Sequence, residues 1–456
     1  MSGGKAQAGE IARLTIEGLG GLGDGLGRHQ GVPVHVPLTA PGDLAEVLIG
    51  PKRGDGVAGR LMTLVQAGDS RRAPPCPYFG ECGGCAVQHL APEIYFRWKE
   101  GLIGEALARH GLVAEIRPIQ APEPNDSRAS RRRAVFAGEN RDGAVAIGFN
   151  ARATHKIVPI ERCLLLTPAL NHLIGFLPEL MRIFLADDER GQAAITDLAG
   201  SIDILIMTPR PPGRVARERV AAFIQERHIT RVSWREAKLE SATPETIVER
   251  GPCRISFAGA MVDFPPGGFI QPSAWGEATL QRLVIEGMGK AGRVVELFGG
   301  IGTLAFALAG AWGRDGRWKL AAFERNPALA DAFRQGANRA GFSGKLSVET
   351  RDLDRRPLLP EEFSSYDGII LDPPRAGAKA QSQFIARVDG PTRAVMVSCN
   401  PATFARDARI LVDGGWTLER VMPVDQFLYS AHLELVAVFV RPKASRKKLR
   451  GRREIN

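Results

Sequence analysis

From about residue 291 onward the chain alternates short apolar runs with longer stretches of helical periodicity, and no other feature restricts its fold as tightly. Runs at 294–298, 320–324, 346–350, 368–371, 394–398 and 433–440 read as strands, and 303–309, 327–340 and 403–411 read as helices. Strands buried on both faces lose the in–out alternation of a half-buried sheet and become continuously apolar. Repeated strand–helix–strand units wind a parallel sheet with helices on both faces. Ligands of such sheets sit beyond the carboxyl ends of the strands, so the residues just after each strand matter most. The expectation is an α/β, Rossmann-like domain over residues 276–440.

A chain of 456 residues is longer than one core ordinarily serves. Residues 1–70 are short strands broken by glycine, with a turn-rich Gly18 to Gly25, and predict a small OB-like β-barrel. This stretch has six Lys/Arg against seven Asp/Glu, so it is not a basic module. Residues 71–275 mix strand-like runs at 144–149 and 202–207 with helices, and begin with a Pro- and Cys-rich stretch. They predict a mostly antiparallel, central α+β domain. Residues 441–456 carry eight Lys/Arg against one Glu, seven of the net +10 charges. With almost nothing apolar to bury, they read as a disordered basic tail. Such a tail grips phosphates through charge alone or merely solubilises. No run of about 18 apolar residues exists to span a membrane. The first residues lack the apolar core of a secretory signal. The expected compartment is the cytoplasm and the expected state a monomer.

Glu296-Leu297-Phe298-Gly299-Gly300-Ile301-Gly302-Thr303 carries a strand into a glycine-rich turn that opens a helix. Glycines there let the backbone approach a ligand closely. Glu324 ends the next strand, where a carboxylate accepts hydrogen bonds from ribose hydroxyls. The pattern suits a nucleoside. The third glycine of a dinucleotide fingerprint is missing, with Phe306 or Ala307 in its place, which argues against NAD. Asp372-Pro373-Pro374-Arg375-Ala376-Gly377 follows one later strand and Cys399-Asn400-Pro401 the next. Cys399 ends an apolar strand and precedes a turn, which puts its sulfur at the ligand-binding edge. A free cysteine is more often a small buried hydrophobe, so Cys399 alone is a candidate nucleophile and no more.

Cys76-x5-Cys82-x2-Cys85 lies in a Gly/Pro-rich loop, and Cys163 follows far downstream. Four thiolates without histidine suit zinc or a [4Fe–4S] cluster, and the spacing does not separate them. Cys253 has no cysteine neighbour and reads as core.

Several long motifs then occur in order: Phe269-Ile270-Gln271-Pro272, Glu296 to Gly302, Asp372 to Gly377, Ser398 to Asp407, and Asp425 with Phe427, His432 and Glu434. Together they resemble the RNA uracil-5 methyltransferase family, class I enzymes of ribosomal and transfer RNA, over most of the chain. The resemblance implies S-adenosylmethionine contacts from Gln271, Phe298, Glu324 and Asp372. It implies a nucleophile at Cys399 and a general base at Glu434. It implies a [4Fe–4S] cluster on Cys76, Cys82, Cys85 and Cys163, and a TRAM domain for the N-terminal barrel. A barrel together with four such cysteines is similar to the ribosomal branch, so the implied partner is RNA, specifically 23S rRNA. Arg128 and Arg131-Arg132-Arg133 are placed to hold phosphates. Ser130 stands where the family has Tyr, Ser273 where Asn is common, Leu428-Tyr429-Ser430 where a Pro-x-Thr-like segment occurs, and Thr303 where Asn is frequent. None of these departures removes a reacting group.

The chemistry asks for such a set. Carbon 5 of uracil is a poor nucleophile until a thiolate adds to carbon 6. A base must later remove the carbon-5 proton so that the thiol leaves. The alternatives are a tRNA uracil-5 methyltransferase, an RNA cytosine-5 methyltransferase, and a non-catalytic RNA-binding protein that would be indifferent to loss of Cys399.

Overall fold

A computed structural model describes residues 8–122, 130–239 and 242–442; Arg128 and the basic tail beyond Pro442 lie outside the described residues. Contacts divide the chain into two compact units. One comprises Met1–Leu102, Ala121–Gly251 and Asp425–Leu433; the other comprises Ile103–Gln120, Pro252–Val424 and Glu434–Asn456. Among the described residues no helix is long and apolar enough to cross a membrane.

The first unit opens with β1 (Ile11–Thr15), β2 (Gly18–Leu19), β3 (Gly25–His29), β4 (Val32–Val36), β5 (Leu44–Arg53) and β6 (Gly56–Gln66). They form one sheet in the order β1-β5-β6-β4-β3-β2. Only Ile16 and Glu17 separate β1 from β2, so the two ends of that order are one run of chain. The Glu17 amide donates to the Leu26 carbonyl of β3 at 2.7 Å. The sheet therefore curls shut. Alternating residues of β1 and β5, Ala12, Leu14, Ala45, Val47 and Ile49, fill its interior with Val34 and Val36.

After the cysteine-bearing stretch come α1 (Pro92–Arg109) and the two-residue β7 (Glu115–Ile116), which belongs to the second unit. The first unit resumes with β8 (Arg133–Arg141), β9 (Ala144–Asn150), β10 (Ile157–Pro159), α2 (Pro168–Ile174), α3 (Leu177–Phe184), β11 (Arg190–Asp197), β12 (Ile202–Thr208), α4 (Arg214–Glu226), β13 (Arg231–Glu236) and β14 (Glu245–Glu249). The sheet runs β10-β9-β8-β11-β12-β13-β14 and is antiparallel except where α4 carries the chain from β12 to a parallel β13. Phe136, Ile195, Ile204 and Ile206 meet Leu180, Met181 and Phe223 of the helices in its core. The mostly antiparallel α+β character expected for this stretch is what forms.

The second unit starts with the hairpin β15 (Arg254–Phe257) and β16 (Ala260–Asp263), then α5 (Ala274–Met288), β17 (Arg293–Leu297), α6 (Thr303–Trp312), β18 (Lys319–Glu324), α7 (Pro327–Arg339), β19 (Leu346–Thr350), β20 (Gly368–Leu371), α8 (Lys379–Ile385), β21 (Arg393–Ser398), α9 (Pro401–Asp413), β22 (Thr417–Val424) and β23 (Glu434–Val440). The hairpin corrects the expected boundary at 275/276 to Gly251/Pro252. Phe257 stacks with Phe306 of α6, and Asp263 takes an ion pair from Arg339 of α7 at 2.8 Å. Eight strands run β19-β18-β17-β20-β21-β23-β22-β7. β17 to β21 are parallel as the alternation predicts, but β23 is antiparallel to both neighbours. Residues 425–433 between β22 and β23 are too few for the crossover of about a dozen residues that a parallel return needs.

That short connection is held by a buried ion pair. Lys99 of α1 and Asp425 are both fully buried, and Nζ of Lys99 bonds one Asp425 oxygen while Tyr95 donates to the other at 2.6 Å. Lys99 also donates to the carbonyls of Phe427 at 3.1 Å and His432 at 3.0 Å. Burial pulls the Lys99 ammonium down from its ordinary range, and Asp425 opposes that. Lys99→Met leaves a buried carboxylate without its counter-charge and is expected to cost about 3–5 kcal/mol, read as a lower urea midpoint. Adding Asp425→Asn is expected to recover part of the loss; a double variant no better than the single would show that the cost lies elsewhere.

Candidate active site

Five parallel strands deliver their carboxyl ends to one edge of the second unit, and a cavity of about 480 Å³ opens there. β17 ends in Leu297, and Phe298 follows with φ 66°, a conformation a bulky residue rarely adopts outside functional turns. Gly302 then caps α6 at φ 93°. A Cβ on Gly302 would lie 2.5 Å from the Phe333 ring and 2.6 Å from Phe306, so only glycine lets this turn seat against α7. Glu324, closing β18, accepts from the Gly300 amide at 2.9 Å and the Asn326 amide at 2.7 Å. Its carboxylate thus pins the glycine turn while lining the cavity.

The loops after β20 and β21 are clamped to each other. The Asn400 side chain donates to the Arg375 carbonyl at 3.2 Å, as does the Thr403 hydroxyl, also at 3.2 Å. Asn400 also caps α9, accepting from the Ala402 amide at 3.1 Å. Asp407 accepts from the Ala378 amide at 2.6 Å and pairs with Arg406 at 2.7 Å, and Arg406 donates to the Ala376 carbonyl at 3.0 Å. Gly377, at φ 79°, sits so close beneath Arg406 and Asp407 that a Cβ would lie 2.5 Å from each.

The antiparallel last strand matters here, because its first residue lies at the edge where the parallel strands end. Ser398 of β21 pairs with Leu435 of β23. The next step of that register sets Cys399 beside Glu434. All six side chains singled out in this unit, Gln271, Phe298, Glu324, Asp372, Cys399 and Glu434, line the one cavity. Phe269, Glu296, Asp352 and Arg375 line it too. Asp352 escaped the sequence reading; its only local signal is a carboxylate just past the third strand of the sheet.

The cavity is lined by several carboxyl groups. Glu296 is wholly buried, and its Oε2 finds no hydrogen-bond partner among the described residues. Burial first, then Asp372, push its carboxyl well above the usual range, with the Ala305 amide working against the shift. Burial raises Asp372 to about 7. Cys399 is pushed up to about 11, by burial first and then by Glu434 and Asp372, against a weaker pull from Arg375. Carboxyl groups at the ends of β17, β18 and β20 can donate or accept hydrogen bonds, and with aromatic Phe298 and Phe323 they suit a ligand bearing hydroxyls and a flat ring.

The four clustered cysteines belong to the first unit. Cys76, Cys82, Cys85 and Cys163 line a single cavity of about 280 Å³ with Tyr78, Phe79, Gln88 and Arg131. Each is a free thiol. Among the described residues no three His, Cys, Asp or Glu side chains are gathered tightly enough to hold a metal ion. Burial pushes the Cys85 thiol up to about 12 and raises Cys82 and Cys163, and neighbouring cysteines add to each. Cys253 is buried core, as expected.

An RNA methyltransferase of Brucella suis biovar 1, itself uncharacterized, is 34% identical over 95% of this chain and 98% of its own. One from Caulobacter vibrioides is 36% identical, over 94% and 99%. The sequence pattern of the tRNA (uracil-5-)-methyltransferase family matches residues 349–442. The chain belongs to the RNA uracil-5 methyltransferase family. It is therefore an S-adenosylmethionine-dependent RNA methyltransferase. The 23S rRNA (uracil(1939)-C(5))-methyltransferase RlmD of Shewanella amazonensis is 29% identical to the enzyme over 93% of this chain and 95% of its own. The crystal structure of Pyrococcus abyssi tRNA (uracil-54, C5)-methyltransferase with S-adenosyl-L-homocysteine shares the methyltransferase's fold, with TM-score 0.70 and 22% identity over 94% of this chain and all of that one.

The raised Cys399 thiol has a readout that needs no RNA. Alkylation requires the thiolate, so the rate of iodoacetamide labelling at Cys399 is expected to be slow at pH 8 and to climb as the pH approaches 11. Glu434→Gln removes a repelling carboxylate, lowers the thiol pKa and speeds labelling at pH 8. Peptide mass spectrometry reads this; an unchanged rate in the variant would mean that Glu434 exerts no field on the sulfur.

Proposed function

We propose that this enzyme methylates carbon 5 of one uridine in 23S rRNA through a covalent bond between Cys399 and carbon 6. The observation that carries the reading is the strand register that seats Cys399 beside Glu434 on a cavity with carboxylates at the ends of three strands. Substrate choice follows the full-length likeness to a relative named for a 23S rRNA uracil.

Gln271, Phe298, Glu324 and Asp372 hold the adenosylmethionine, which supplies an electrophilic methyl when bound. Glu324 takes the ribose hydroxyls, the task for which a strand-end carboxylate is suited. The target base leaves its stack to reach the cavity. The Cys399 thiol releases its proton to solvent as the sulfur bonds carbon 6, and the pair from the 5,6 double bond moves onto the ring as an enolate. Carbon 5 of that enolate would then take the methyl, with the donor's carbon–sulfur bond breaking to leave a neutral thioether. Glu434 next removes the proton left on carbon 5. The 5,6 double bond re-forms, the carbon–sulfur bond breaks, and Cys399 is released.

In this reading the closed sheet β1–β6 is a TRAM-like barrel, and the enzyme works as a cytoplasmic monomer. Cys76, Cys82, Cys85 and Cys163 carry a [4Fe–4S] cluster with a structural role. Four thiols around a cavity of about 280 Å³ leave room for a polynuclear cluster, whereas one zinc ion wants all four sulfurs about 2.3 Å from a single point. Anaerobically purified protein is expected to be brown, with about four irons and four sulfides per chain. Colourless protein with one zinc would overturn the cluster.

Glu434→Gln separates the halves of the reaction. The variant is expected to accumulate a methylated protein–RNA adduct that survives denaturing gels and requires both adenosylmethionine and Cys399. Cys399→Ala is expected to lose turnover by at least about 10³-fold while still binding adenosylmethionine. Normal turnover by Glu434→Gln would assign the base elsewhere. Mapping of 5-methyluridine in both RNA classes from a strain lacking the enzyme decides between 23S rRNA and tRNA.

A further inference from the structure

A run of three arginines reads as a phosphate grip, yet Arg131 lines the cysteine cavity. Its Nε donates to the Arg133 carbonyl at 3.0 Å. Its backbone is tied to the turn that carries Cys163: the Arg131 amide donates to the Leu165 carbonyl at 2.7 Å, and the Thr167 amide donates back to Arg131 at 3.0 Å. One local scaffold thus presents both the fourth thiol and the guanidinium. The cavity's other cation, Arg162, is exposed to solvent. The Arg131 side chain is half-buried at the wall of this cavity. A guanidinium drawn out of water is costly unless an anion compensates it. Four thiolates on an iron–sulfur cube provide a net negative charge and gain one more on reduction.

We propose that Arg131 is the internal counter-charge of the iron–sulfur cluster and sets its reduction potential, instead of contacting RNA phosphate. This rests on reading the four cysteines as cluster ligands. Cluster potentials follow net charge, hydrogen bonding and exposure, so a fixed, half-buried cation on the cavity wall favours the reduced state.

The test is a potentiometric titration of the anaerobic holoenzyme, followed by electron paramagnetic resonance, after iron and sulfide have been counted. Arg131→Met is expected to shift the one-electron equilibrium at least tenfold toward the oxidised form, a potential lower by about 59 mV. Arg131→Lys keeps the charge and holds both the iron and the potential. Arg162→Met leaves the potential in place. An unmoved potential in Arg131→Met at full iron content overturns the proposal. So does a shift in Arg131→Lys as large as that in Arg131→Met, because shape rather than charge would then matter. If Arg131→Met retains no iron, a fully loaded Arg131→Lys at the original potential supports the proposal, and a Lys variant that also loses iron overturns it. Wild-type protein without iron instead sinks the cluster reading, and the metal count shows that before any potential is measured.

Discussion

The reactive edge of this enzyme depends on one clamp, the docking of the loop after β20 onto the loop after β21. Asp372 and Cys399 stand on separate strands, and nothing in a parallel sheet obliges the loops that follow to stay together. The backbone groups of the Arg375–Ala378 turn need hydrogen-bond partners, and Asn400, Thr403, Arg406 and Asp407 provide them. This accounts for a polar run of several residues after Cys399, each of which holds the neighbouring loop. The other residues hold the cysteine at a fixed distance from the acid loop.

The clamped sulfur sits among carboxyl groups. Burial, then Glu434 across the strand pair and Asp372, make the edge inhospitable to a free thiolate. A protonated sulfur is also slow to oxidise, since thiolate character governs that reactivity. The thiol therefore rests in its inert form until a substrate changes the balance.

The five parallel strands and β23 were legible to within about a residue, because buried strands write themselves as continuous apolar runs ended by motif residues; β22, α5 and α8 were not among the expected elements. β20 is found at the limits its apolar run predicts, and α6 starts at Thr303 as expected but runs on to Trp312. The direction of β23 was not legible, since an apolar run looks the same either way along the sheet. The only sequence trace of it is the brevity of the loop after β22, a strand that was not itself expected. That Arg131 lines the cysteine cavity was not legible in a triple-arginine run, because its placement depends on a turn more than thirty residues later. The pairing of Lys99 with Asp425 was out of reach: no local pattern links residues 326 positions apart.

That separation bears on how the chain is made. The first unit is not completed by its own contiguous sequence; it waits for residues 425–433, which thread back from the far side of the second unit's sequence. At translation rates of about 5–20 residues per second, Lys99 emerges on the order of tens of seconds before Asp425 exists. Until then the slot beside α1 lacks its carboxylate, and the ammonium meant to be fully buried has water as its only partner. The second unit likewise lacks Glu434 and its central β23 until that segment has passed. The cluster of Val87, Leu90, Tyr95 and Trp98, which packs against Leu428 and Ala431, is therefore the part of the first unit that forms last.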